Sequence, residues 1–95
     1  MKPAPSYRIF ETIQFEKDLR TIARAGHAEV VEKLRRTVYR QLRHHPHFGP
    51  HVRKLKGISP DTWRYRIGAW RFFYEIDDDE GVVFMIAASH RGSAY

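Results

Sequence analysis

Apolar and polar positions alternate with a period of two from Tyr7 to Ile13: Tyr7, Ile9, Glu11 and Ile13 fall on one side, Arg8, Phe10 and Thr12 on the other. With β-formers dominant, this predicts a strand. At Gln14 the period lengthens. Phe15, Leu19 and Ile22 then share one helical stripe, while Glu16, Lys17, Asp18 and Arg20 lie off it. Gly26 is placed to end that helix, because glycine accepts the positive φ of a helix terminus. A second helix is expected from about Ala28 to about Arg43, with Val31, Leu34, Val38 and Leu42 as its seam. Arg35, Arg36, Arg40 and Arg43 crowd its later turns, where positive charge complements the helix dipole.

The loop His44-His45-Pro46-His47-Phe48-Gly49-Pro50-His51 stops the helix, since neither proline can continue it. Val52 to Lys56 follow, then a turn around Ser59-Pro60-Asp61. Trp63–Ile67 and Trp70–Asp77 read as strands around a Gly68-Ala69 turn, and Asp78-Asp79-Glu80-Gly81 turns the chain again. The continuous apolar run from Val82 to Ala88 suggests a strand buried on both faces. The predicted order is β-α-α-β-β-β in one domain over residues 1–95. That is an α+β fold with an N-terminal strand and a two-helix hairpin packed on a mainly antiparallel twisted sheet.

The hairpin carries the sharpest expectation. With Gly68-Ala69 as a two-residue turn, Ile67 opposes Trp70, Arg66 opposes Arg71, Tyr65 opposes Phe72 and Arg64 opposes Phe73. Trp63, Tyr65, Ile67, Trp70, Phe72, Tyr74 and Ile76 then form one apolar face that must meet the helices. The other face gathers Arg64, Arg66 and Arg71, with Phe73 beside them and Lys54 and Lys56 nearby. Directly opposed like charges are destabilising. Arg66 against Arg71 therefore implies an acidic neighbour, for which Glu75 is placed, or a surface made for an anion. Guanidinium forks match phosphate, and an exposed Phe73 would stack on a base.

Charge supports the second alternative. The chain has 95 residues and a formal net charge of +6. Between Arg43 and Arg71 seven basic residues stand against one acidic, whereas from Phe72 onward one basic residue stands against five acidic ones. A basic block suggests a polyanionic partner, and a merely solvated surface is the plain alternative. Cysteine is absent, so disulfides and thiolate metal sites are excluded and a reducing, cytoplasmic setting is expected. No apolar run suggests a signal peptide or membrane span. His44, His45, His47 and His51 match no standard zinc spacing. Asp77 to Glu80 read more simply as turn formers than as a Mg²⁺ site, and no cofactor is expected.

Three stretches together resemble the RelE/ParE superfamily of type II toxins. These are Lys54-Leu55-Lys56-Gly57, the R-x-R-x-G-x-x-R-x-x-Y run from Arg64 to Tyr74, and the H-R-x-x-x-Y ending from His90 to Tyr95. The resemblance covers essentially the whole chain and implies a RelE-like microbial RNase fold and a toxin held inactive by a cognate antitoxin protein. RelE-like members cleave mRNA on the ribosome, in the A site beside 16S rRNA, without metal; ParE-like members inhibit DNA gyrase by binding. Operator DNA would be met only through the antitoxin, and no membrane is involved.

By the resemblance, Arg64, Arg66, Arg71, Arg91 and Tyr95 match the catalytic positions of the RelE-like branch. Lys54 and Lys56 match its upstream basic pair and, with Phe73 and His90, are expected to bind RNA. Arg66, Arg71 and Arg91 would stabilise phosphorane charge, and Tyr95 would orient a base. Lys54, Lys56 and His90 are candidates for the general base. The sequence leaves a ribosome-dependent endoribonuclease, a gyrase inhibitor and an inactive antitoxin-binding relic in play.

Overall fold

The computed structural model describes residues 6–91. Strand β1 (Arg8–Glu11) leads directly into α1 (Ile13–Ile22). The expected strand to Ile13 is cut short because Thr12 caps the helix: its hydroxyl oxygen accepts the Phe15 N–H at 3.2 Å and donates to the Met85 carbonyl at 2.9 Å. Ile13 consequently sits in the first helical turn and is 76% exposed. A wide turn over Ala23–His27 contains the predicted break at Gly26, whose φ of 93° favours glycine. Beyond it α2 (Ala28–Lys33), a π turn (Leu34–Val38) and α3 (Tyr39–His44) follow without leaving helical backbone angles at their junctions, giving the second arm of the expected hairpin.

After the histidine-rich loop come β2 (Val52–Lys54), β3 (Trp63–Ile67), β4 (Trp70–Asp77) and β5 (Val82–His90). The sheet order is β1-β5-β4-β3-β2, with β1 parallel to β5 and every other pair antiparallel. The parallel pair is possible because the helical arm carries the chain back across the sheet. Strand β2 is an addition to the elements anticipated from the sequence. Among the described residues no helix is long and apolar enough to cross a membrane.

One core lies between the helices and one sheet face. Phe15, Leu19, Ile22, Leu34, Val38, Tyr39 and Leu42 meet Tyr65, Phe72, Tyr74, Val83 and Met85 there, flanked by Trp63, Ile67, Trp70 and Ile76. The apolar face predicted for the hairpin is thus the face that packs, so its tryptophans are core residues rather than a stacking platform. Strand β5 is interior, but it is fully buried only at Val83 and Met85; Phe84 and Ile86 on its other side are half-buried. A bulge at Ile86 separates the Tyr74–Met85 pair from the Phe73–Ala87 pair. It shifts the alternation by one residue, so Ala88 rather than Ala87 joins the core. The Ala88 N–H is satisfied by the Asp18 carboxylate at 2.9 Å, which ties α1 to the bulged strand.

Candidate nucleic-acid interface

The β3–β4 register is the expected one at every position: Ile67–Trp70, Arg66–Arg71, Tyr65–Phe72 and Arg64–Phe73. Gly68 supplies the positive φ (56°), while Ala69 keeps a negative one, as a turn needing glycine only in its first central position requires. The Arg66 Nε–H donates to the Gly68 carbonyl at 3.1 Å, folding that side chain back toward the turn. Alternation from the buried Tyr65 and Phe72 sends Arg64, Arg66 and Arg71 to the sheet face away from the helices.

A fourth arginine joins them. In β2, Val52 pairs with Tyr65 on the core side, which turns Arg53 outward directly across from Arg64. Two arginine pairs therefore lie side by side, Arg53 with Arg64 and Arg66 with Arg71. Among the described residues none of the four makes an ion pair, although five ion pairs occur elsewhere. Glu75, the acidic neighbour the sequence offers, pairs across to Phe84 and forms no salt bridge with them. The Arg64 Nε is buried without a hydrogen-bond partner, as is the hydroxyl of Ser89, which opposes Arg71 from β5. Burial, followed by the charges of Arg53, Arg66 and Arg71, pulls the Arg64 pKa below its ordinary value. The arginines together form positive charge held without an internal counterion among the described residues, which is what a phosphate-binding surface needs.

Arg53 is the residue the sequence reading missed. Its signal was the alternation Val52-Arg53-Lys54 set against the Trp63–Ile67 strand, a three-residue pattern too short to register as a strand on its own.

Several expected members lie elsewhere. Phe73 does oppose Arg64, but it is 3% exposed and closed to a base; β4 is an interior strand, with Arg64 on one side of Phe73 and Ala87 on the other. Lys54 pairs with Trp63 on the helix side, 5.8 Å above its ring, and bridges Asp61 at 3.2 Å. Lys56 is exposed in the turn beyond β2, in a groove also lined by Leu55, Ile58 and Ser59. His90 is carried to the helix side by the bulge at Ile86 and packs edge-on against Trp70, with 4.8 Å between centroids. Without that bulge, strict alternation would have put His90 on the arginine face. Arg91 is exposed at the hairpin tip, its backbone N–H donated to the Ala69 carbonyl. Tyr95 lies outside the described residues.

The remaining clusters serve the fold. The His47 ring sits 3.1 Å from the Asp78 carboxylate, which also accepts the Tyr7 hydroxyl at 2.6 Å. Asp77 accepts the Glu80 N–H at 3.0 Å and so caps its own turn. Among the described residues no group of three or more potential metal ligands converges.

Comparison with known proteins agrees with this architecture. Residues 7–95 match the family model described as ParE toxin of type II toxin-antitoxin system, parDE. The chain is similar to one in the toxin-antitoxin complex RelBE2 from Mycobacterium tuberculosis, at 25% identity and a TM-score of 0.68, covering 90% of this chain and 99% of that one. It is likewise similar to a chain of the archaeal RelE-RelB complex from Pyrococcus horikoshii, at 26% identity and a TM-score of 0.66, covering 94% and 99%. The YoeB/ParE toxin from Agrobacterium tumefaciens shares the fold at 22% identity and a TM-score of 0.72, covering 87% and 96%. No curated protein sequence matches. A strand, a helical hairpin and a four-strand antiparallel run, matched along almost the whole length, leave one conclusion: the chain belongs to the ParE toxin family of type II toxin–antitoxin systems, within the RelE/ParE superfamily.

Proposed function

We propose that this toxin is a metal-independent, ribosome-dependent mRNA endoribonuclease that inhibits translation in the cytoplasm, with a cognate antitoxin as its inhibitory partner. The observation that carries the reading is the set of unpaired arginines on the open sheet face, above all Arg66 directly opposite Arg71. A protein that needed these residues only for stability would have paired them with carboxylates or spaced them apart.

In RNA cleavage of this kind the ribose 2′-oxygen loses its proton and attacks the adjacent phosphorus. The bond to the 5′-oxygen breaks, and that oxygen takes up a proton, leaving a 2′,3′-cyclic phosphate and a free 5′-hydroxyl. Negative charge grows on the phosphorane oxygens. Arg66 and Arg71 are assigned to those oxygens, an electrostatic role whose removal typically costs about 10²–10³ in rate. Arg64, from the same strand as Arg66, holds the RNA backbone next to the scissile linkage. Arg91 approaches from the hairpin tip, and Tyr95 is assigned to the base. The arginines supply charge rather than a proton acceptor. A large part of the acceleration then comes from holding the mRNA in line, with the ribosome as scaffold.

The matching family model is that of ParE toxins, which favours a second reading: by the resemblance, ParE-like members inhibit DNA gyrase by binding, and such a toxin would catalyse nothing. Purified translating ribosomes and purified gyrase separate the two. The first reading expects mRNA cuts that disappear in Arg71→Ala while the variant stays folded. Gyrase-dependent DNA breaks with intact mRNA would establish the second.

A further inference from the structure

We propose that Arg53 is a substrate-binding residue: with Arg64 it grips one phosphate beside the one held by Arg66 and Arg71, so the sheet face holds two consecutive phosphates of a single RNA strand. The inference rests on the endoribonuclease reading and adds to it a residue and a footprint.

Its basis is the register. Arg53 and Arg64 are direct cross-strand partners, and so are Arg66 and Arg71. Arg64 and Arg66 are two residues apart on β3, and the two arginine pairs span neighbouring strand pairs. Their centres are therefore offset diagonally by about 8 Å, about 6–7 Å along the strand and about 5 Å across it. Long arginine side chains can close that span onto neighbouring phosphates. Each pair sets two arginines at directly opposed positions with no carboxylate of the described residues to offset their charge, an arrangement that two anionic groups, one per pair, would relieve. The buried, unpartnered Arg64 Nε gives the first pair an N–H still lacking an acceptor. Strand β2 is the sheet edge, so RNA crossing from Arg71 toward Arg53 meets open surface beyond. Neighbouring Lys54 is turned away to Asp61 and Trp63, which leaves Arg53 as the β2 side chain that serves this face.

Arg53 grips a phosphate that is not being broken, so its loss should weaken binding and leave the chemical step alone. The test is single-turnover cleavage of mRNA on purified translating ribosomes, recording the half-saturating toxin concentration and the plateau rate at several salt concentrations. Arg53→Ala should raise the half-saturating concentration about tenfold. The plateau rate should not change, and the salt dependence of the affinity should become shallower by about 0.7 in log–log slope. Arg53→Lys should recover part of the loss. Arg40→Ala, which removes an exposed charge from α3, should behave as the unaltered protein does. An unchanged half-saturating concentration in Arg53→Ala, an equal effect of Arg40→Ala, or a fall in plateau rate alone would overturn the proposal. If the unaltered protein cuts and Arg71→Ala does not, such a result removes only the second grip. If the unaltered protein makes no cuts, the endoribonuclease reading falls, and this inference with it.

Discussion

On the helix side of the sheet, the Glu11 carboxylate accepts two hydrogen bonds from Arg35, at 2.9 and 3.1 Å, and one from the Tyr39 hydroxyl at 2.6 Å. On the opposite side, Arg53, Arg64, Arg66 and Arg71 face one another with no carboxylate among the described residues in reach. The same chain solves the same electrostatic problem in one place and leaves it open in the other. At Glu11, burial would raise the pKa, but the bonds from Arg35 and Tyr39 outweigh it and hold the carboxyl below its ordinary range. At Arg64, burial and three neighbouring charges all act in one direction, against the charged form. The first region joins β1 to the second helical arm and is built for stability. On the proposed function, the second gives up stability for an affinity that is realised only with an anion.

Converting the open region into a closed one should have the largest effect. Arg66→Glu puts a carboxylate opposite Arg71, turning a repulsive cross-strand pair into an attractive one. Cleavage should fall by more than about 10²-fold, while thermal unfolding should show a gain of about 0.2–1 kcal/mol. A loss of both activity and stability would mean that Arg66 was structural all along.

Opening the closed region is the next test. Glu11→Gln should lower stability by about 1–2 kcal/mol, a value kept modest because Arg35 is half exposed. Cleavage by the folded protein should not change. The sign of the pH dependence follows from the lowered pKa. Glu11 stabilises the fold fully above its ordinary carboxylate value, and that contribution is lost as pH falls through the lower folded value. Denaturation midpoints of the two proteins should therefore differ at neutral pH and converge in acid; a gap that persists in acid would contradict the assignment.

The smallest effect is expected at Asp78. Its carboxyl is held below the ordinary range first by the Tyr7 hydroxyl and then by His47, but it is well exposed. Asp78→Asn should shift stability by no more than about 0.5 kcal/mol and leave cleavage intact. A large loss of cleavage would place this turn within the RNA surface.

The sequence carried the local rules of this fold well. Gly26 and Gly68 marked the helix break and the hairpin turn, and a two-residue turn dictates register, so the arginine pair and the apolar face followed from alternation alone. Features set by distant parts of the chain were hidden. Strand β2 has only three residues, so its pairing with β3, and hence the outward turn of Arg53, comes from tertiary contact. The bulge at Ile86 falls inside an unbroken apolar run that gives no sign of a change in parity. That one residue decides that Ser89 faces Arg71 and that His90 turns to Trp70. Phe73 was placed on the correct face, yet its burial depends on neighbours from both adjoining strands.

The central claim is that the unpaired arginine face acts on the phosphates of mRNA. Mapping mRNA 5′ ends in purified translating ribosomes, with the unaltered toxin beside Arg71→Ala, tests it most directly. The account predicts new 5′-hydroxyl ends with the first protein and a loss of at least about 10²-fold with the second, at equal folded concentration. Equal cutting by both proteins, or none by either, would contradict it.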